Sequence, residues 1–180
     1  GSVPSPKVVA TYFVGPESLP PPSLAVASLV VEPGDLFDSQ LGIYVPGAAY
    51  VPTAWSAPTW WWGTGNYFQR GFAAERAAHL SLFAARGAAD LDQKTGLRIH
   101  GGGTRALPMK SLSMHARKWL GQGSFELSCR SGSPTTYEKL ILRNSGQDSV
   151  MMPTLLRQTL AAVVVGAVDA TMARSRPCLL

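Results

Sequence analysis

Residues 96–118 of this 180-residue chain, GLRIHGGGTRALPMKSLSMHARK, constrain the fold more than any other stretch. Two segments with period-two alternation flank a loop that holds three successive glycines. Leu97 and Ile99 fall on one side of the first segment, with Arg98 and His100 on the other. The second segment places Lys110, Leu112, Met114 and Ala116 on one face and Ser111, Ser113, His115 and Arg117 on the opposite one. The matched alternation predicts an antiparallel pair, 96–99 against 111–117, connected by 101–108. Lys110 shares a side with apolar residues, so it must run its stem along the core edge to water or meet an anionic partner. Gly101, Gly102 and Gly103 leave backbone N–H groups unshielded. Two readings follow: a glycine-rich turn with a snorkelling lysine, or a loop that wraps an anion such as phosphate.

The rest of the chain is ordinary in apolar content and sparse in charge, and its length is enough for one domain with a real core. Net charge is +5, but Arg70, Arg76, Arg86, Arg98, Arg105, Arg117 and Lys118 are scattered. No basic stripe interleaved with aromatics marks a nucleic-acid partner. The apolar run 160–168 is too short to span a bilayer, and no signal peptide opens the chain. Cys129 and Cys178 either pair or are two unrelated thiols, and they lack the spacing of a zinc site.

In chain order, residues 1–14 read as a turn and a strand, and the proline-rich run 16–22 as a stiff linker. Residues 24–31 read as a buried strand ended by Pro33 and Gly34, and 35–38 as a short helical turn. Residues 46–65 are irregular and include Trp60, Trp61 and Trp62. These rings read either as an aromatic platform for carbohydrate or a partner, or as a loop folded over the sheet. Residues 72–85 suit a helix by alanine content and a strand by alternation. Residues 86–91 then form a turn, and the polar, glycine-rich run 119–136 is a loop. Residues 137–143 read as a strand with Leu140 and Leu142 on one side, followed by an Asn144-Ser145-Gly146 turn. Pro153 opens a helix with Leu155, Leu156, Thr159, Leu160, Val163 and Val164 at three- and four-residue spacing. Gly166 and Asp169 end it, its apolar face is expected on Leu97, Ile99, Leu140 and Leu142, and residues 174–180 begin another strand.

The blocks GLRIHGGGTRALPMKSLSMHAR and YEKLILRNSGQD, in this order, resemble the spore-coat protein H (CotH) kinase family. Phe13-Val14-Gly15, Asp35-Leu36-Phe37-Asp38, Gly42-Ile43-Tyr44-Val45 and the stretch 66–83 are similar to other blocks of the same family. The resemblance implies an atypical protein kinase fold that binds ATP and a divalent metal such as magnesium, and it favours a strand at 77–83. It also implies that 1–22 is the last strand of a chitobiase-C-terminal-like β-sandwich plus a linker. Residues 23–180 would then be the nucleotide-proximal part of the kinase domain, cut at its C-terminus, from an extracellular bacterial protein. By the same resemblance, Gly101, Gly102, Gly103, Arg105, Lys110, Asn144, Asp148 and Arg157 are the candidate nucleotide-binding residues.

The chain departs from the family at Ser149 and Gln158, where tryptophan and aspartate are usual, and over 126–134. The acidic metal-binding motifs of the family are expected beyond residue 180, leaving only phosphate positioning here. The expectation is therefore an α+β domain, a mainly antiparallel sheet of about four to six strands with one packed helix. Weak ATP binding, protein or cell-surface partners and no phosphoryl transfer complete it. Two other function classes stay open: a non-catalytic extracellular binding module using Trp60–Trp62, and a hydrolase using His100 or His115 with Ser111 or Ser113.

Overall fold

In a computed structural model, residues 8–14, 25–51, 64–83, 89–127, 135–144 and 178–179 are described. Their framework is a six-stranded sheet in the order β7-β4-β3-β2-β1-β8, with a separate two-stranded sheet β5-β6. The strands are β1 (Ala25–Val31), β2 (Arg76–Phe83), β3 (Ala89–His100), β4 (Ser111–His115), β5 (Phe125–Leu127), β6 (Thr135–Tyr137), β7 (Lys139–Leu142) and β8 (Cys178–Leu179). Every pairing is antiparallel except the two-residue β8, which runs parallel to β1. One short helix, α1 (Pro33–Phe37), begins with proline at its first position, where a missing N–H is harmless. The described part is thus mostly antiparallel sheet with little helix.

Register fixes what each face carries. Leu29 lies opposite Leu80, Leu80 opposite Gln93, Leu97 opposite Met114, and Met114 opposite Leu140. With period two, one face therefore presents Ala27, Leu80, Leu91, Leu97, Ile99, Leu112 and Met114, all buried. Ile43, Tyr67 and Phe125 close over this face from the connections and from β5, completing one core. The other face carries His79, Ser81, Asp92, Arg98, His100, Ser111, Ser113, His115 and Arg117. A one-residue slip in any ladder would exchange the two sets, so the apolar rows hold the register.

The expected pairing of 96–99 with 111–117 is present, with Gly96 opposite His115 and His100 opposite Ser111. The strands expected at 24–31 and 77–83 are present as β1 and β2, and the helical turn at 35–38 as α1. Other expectations are corrected. Residues 8–14 form no strand. That segment packs by side chains instead: Phe13 meets Phe83 edge-on at 4.9 Å, and the Thr11 and Ser28 hydroxyls lie 2.7 Å apart.

The turn expected over 86–91 gives way to strand from Ala89, and β3 runs twelve residues. Its inner positions Gln93 and Thr95 are polar, which hid the alternation from a hydrophobic pattern. Within the expected loop 119–136, the three-residue strands β5 and β6 pair and bury Phe125 completely. The strand expected over 137–143 is divided, Tyr137 ending β6 and β7 starting at Lys139. Leu140 and Leu142 share a face as expected, packed against the core. The helix from Pro153, the linker 16–22, Trp60–Trp62 and Cys129 lie outside the described residues. Among those described, no helix is long and apolar enough to cross a membrane.

Leu97 sits at the centre of the apolar rows with no exposure. Leu97→Ala should lower the unfolding free energy by about 2–5 kcal/mol in urea titration, the range for buried Leu truncation.

Candidate functional site

The β3–β4 connection is a glycine loop with a specific backbone. Gly101 has φ +115°, and a Cβ there would strike the Thr104 hydroxyl oxygen, so only glycine fits without strain. Gly102 faces open space, and Gly103 starts a 3-10 turn, Gly103–Ala106.

Two cations of the loop turn inward. Arg105 is 7% exposed; its Nε donates to the Gly101 carbonyl (2.6 Å), and its Nη1 to the carbonyls of Tyr67 and Gln69 (3.0 Å each). Burial, then the charge of Arg70, pulls the guanidinium down to about 10. Its role is to fasten the loop to the 3-10 turn Asn66–Phe68. Lys110 neither reaches water nor meets an acid, the two outcomes expected for it. It is 8% exposed, donates from Nζ to the Leu107 carbonyl (2.7 Å), and lies 4.3 Å from the Tyr67 ring centroid and 5.2 Å from that of Tyr44. Tyr44 Oη in turn accepts from the Lys110 N–H at 3.1 Å. The ring faces and one carbonyl replace a counter-ion, and burial lowers the ammonium to about 8.

On the opposite side of the sheet, His100, Gly101, Gly102, Thr104, Ser111, Arg143 and Asn144 line a polar cleft of about 150 Å³. A cleft of this size has room for a phosphate group. Asn144 builds its wall: Ser111 Oγ donates to Asn144 Oδ1 (2.7 Å), Asn144 N–H donates to Ser111 Oγ (3.1 Å), and Asn144 Nδ2 bonds to the Met109 carbonyl. These contacts tie the end of β7 to the start of β4 and carry Arg143 to the cleft. Burial, then Lys139, Arg143 and Arg105, holds the His100 imidazole below its usual range. The structure therefore brings together Gly101, Gly102 and Asn144 among the expected residues. Arg105 and Lys110 are excluded from the cleft lining; Asp148 and Arg157 lie outside the described residues. Among the described residues no group of acidic, cysteine or histidine side chains is placed to hold a metal.

A second polar centre escaped the sequence reading. The Glu75 side chain is 1% exposed and lies over Gly96, where a Cβ would collide with its carboxylate. Arg117 donates from Nε to Oε1 (2.7 Å) and from Nη2 to Oε2 (2.6 Å), and Arg98 donates from Nε to Oε2 (2.7 Å). Burial alone would raise this carboxyl; the bonds from Arg117 and Arg98 outweigh it and hold it below the ordinary value. The signal was in the sequence, a glycine between Thr95 and Leu97 in a strand that needs none for a turn.

The histidines do not converge. His100 and His115 stand four register steps apart on the β3–β4 ladder, roughly 13 Å at strand rise. Ser113 Oγ lies 3.2 Å from His115 Nε2, but Ser113 is 3% exposed, and burial followed by Arg98 lowers His115 to about 4. Asp92 receives Ser81 Oγ at 2.5 Å and His79 Nε2 at 2.7 Å, which puts the acid between the hydroxyl and the imidazole. Comparison with protein-family models, curated proteins and solved structures finds no match to this chain.

Two stability tests follow. Glu75→Gln should cost about 3–5 kcal/mol at pH 7, because two arginines lose their buried partner. The folded carboxyl lies below its free value of 4.5, so the wild-type advantage holds above that pH and shrinks as pH falls through the folded value. Denaturant midpoints of both proteins between pH 7 and pH 3 measure it. For Lys110, the unfolded chain binds a proton that the folded one releases between pH about 8 and 10.5, so stability rises with pH there. Lys110→Met should abolish that rise, seen as a pH-dependent difference in unfolding free energy between the two proteins.

Proposed function

We propose that this chain is the nucleotide-proximal part of a CotH-type atypical kinase domain, and that its polar cleft receives phosphate oxygens of ATP. The observation that carries the reading is the cleft itself. Gly101 and Gly102 bare the backbone on one side, and Arg143 supplies positive charge on the other. The resemblance of 96–117 and 137–148 to that family points to the same loop. Phosphate positioning assigns Gly101, Gly102, Arg143 and Asn144 to the ligand, with His100 beside it. Lys110 belongs to the other face of β4 and anchors the loop rather than the phosphate. Gly103 and Arg105 shape the loop. Asp148 and Arg157 join the ligand set by the family resemblance alone, and magnesium would come with the nucleotide. A protein substrate and an extracellular bacterial setting complete this reading.

A hydrolase built on His100 or His115 has less support, since Ser113 is closed to substrate and His115 is a weak base. The aromatic binding-module reading rests on Trp60–Trp62, which lie outside the described residues.

Calorimetry with ATP and magnesium on the 180-residue chain is expected to show weak binding without phosphoryl transfer. Arg143→Ala should weaken it about tenfold, the worth of one charge-assisted contact, and bound ATP should raise the His100 pKa in an NMR titration. Binding indifferent to Arg143→Ala, or lost only in Lys110→Met, would overturn the cleft assignment.

A further inference from the structure

At the far end of the β3–β4–β7 ladder from the glycine loop lies a second, larger cleft of about 430 Å³. His115, Ala116, Arg117, Lys118, Gly123, Glu138 and Lys139 line it. Three cations face one carboxylate there. Arg117 is bound to Glu75 through Nε and Nη2, with Arg98 behind it on the same carboxylate. Lys118 and Lys139 are exposed and make no ion pair with any described residue. The 3-10 turn that holds Lys118 also presents Trp119, 60% exposed, edge-on to the exposed Phe72 at 6.0 Å.

We propose that this cleft is a docking site for an acidic peptide segment of a protein partner, its carboxylates held by Lys118 and Lys139. Charge complementarity selects the occupant: Lys118 and Lys139 have no acid partner among the described residues, Glu75 already neutralises Arg117, and Glu138 is the one carboxylate of the lining. Its volume exceeds what a single phosphate fills and suits side chains with their backbone. The adjacent Trp119–Phe72 pair offers an apolar neighbour to the same chain. His115 sits inside as a reporter. Burial and the charges of Arg98, Arg117 and Lys139 lower its pKa against the opposing pull of Glu75, so an anion bound beside it must raise it. The site lies four register steps from the glycine loop.

The test is fluorescence anisotropy of a labelled decapeptide of alternating glutamate and glycine, titrated with the full chain at low and physiological salt. Lys118→Glu with Lys139→Glu should weaken binding about tenfold or more, since both are charge reversals at the contact. Both side chains are exposed, and circular dichroism checks that the fold is kept. Arg70→Glu, a charge change equal to that of either lysine reversal alone and placed near the glycine loop, should leave binding within about twofold, where only screened long-range attraction changes. The peptide should raise the His115 pKa more than that of His100, which shares only the Lys139 charge with this cleft. Equal weakening by Arg70→Glu, an unmoved His115, or binding of inorganic pyrophosphate with none of the peptide would each overturn the proposal. Loss of ATP binding in Arg143→Ala would leave peptide binding intact, which separates the two sites.

Discussion

The buried carboxylate of Glu75, gripped by Arg98 and Arg117, is the constraint on which the polar side of the sheet depends. It reaches from the residue before β2 across β3 to the residue after β4's last turn of ladder, joining segments 23 and 42 positions apart. A charge taken from water this completely is tolerable only with matched donors. Three arginine nitrogens provide them at hydrogen-bond distance. Gly96 makes the approach feasible, since any side chain on that position would occupy the carboxylate's volume. The apolar rows on one side and this ion cluster on the other therefore specify the same register of β3 against β4.

The glycine loop is stabilised by a parallel device. Arg105 reaches three backbone carbonyls, of Gly101, Tyr67 and Gln69, and so replaces hydrogen bonds that a turn of this shape cannot make to itself. Lys110 does the same for Leu107 while resting on two aromatic faces. Both cations hold the loop in one conformation, and the conformation, not their charge, bares Gly101 and Gly102 to the cleft. Lys110, beside the triple glycine, lies on the face away from the cleft that Gly101 and Gly102 line.

Much of the sheet was legible in the sequence because alternation is a local signal. The pair 96–99 and 111–117, and the strands at 24–31 and 77–83, each show their buried set directly. The signal failed where burial and polarity part company. Gln93 and Thr95 occupy inner positions of β3, and strand 89–95 was lost with them. It failed also where a strand is too short to show a period, as in β5, which a single phenylalanine anchors. The site was legible in kind and not in membership. Three glycines announce an exposed backbone, but which cations serve it depends on tertiary neighbours such as Tyr44, Tyr67 and Gln69.

The distribution of charge on the polar face has a further consequence. On that face β7 carries Lys139 at its start and Ile141, with Arg143 just past its end, and β7 is an edge strand of the larger sheet among the described residues. Each end of this short strand closes one of the two clefts. The strand thus separates two basic pockets by roughly 13 Å of ladder, with the half-exposed Ile141 between them. An edge of this kind resists pairing with other sheets because its cations repel a like edge. The same cations attract anions. Protection of the edge and the positive potential of both clefts then arise from one arrangement, and a substitution at Lys139 or Arg143 would alter both.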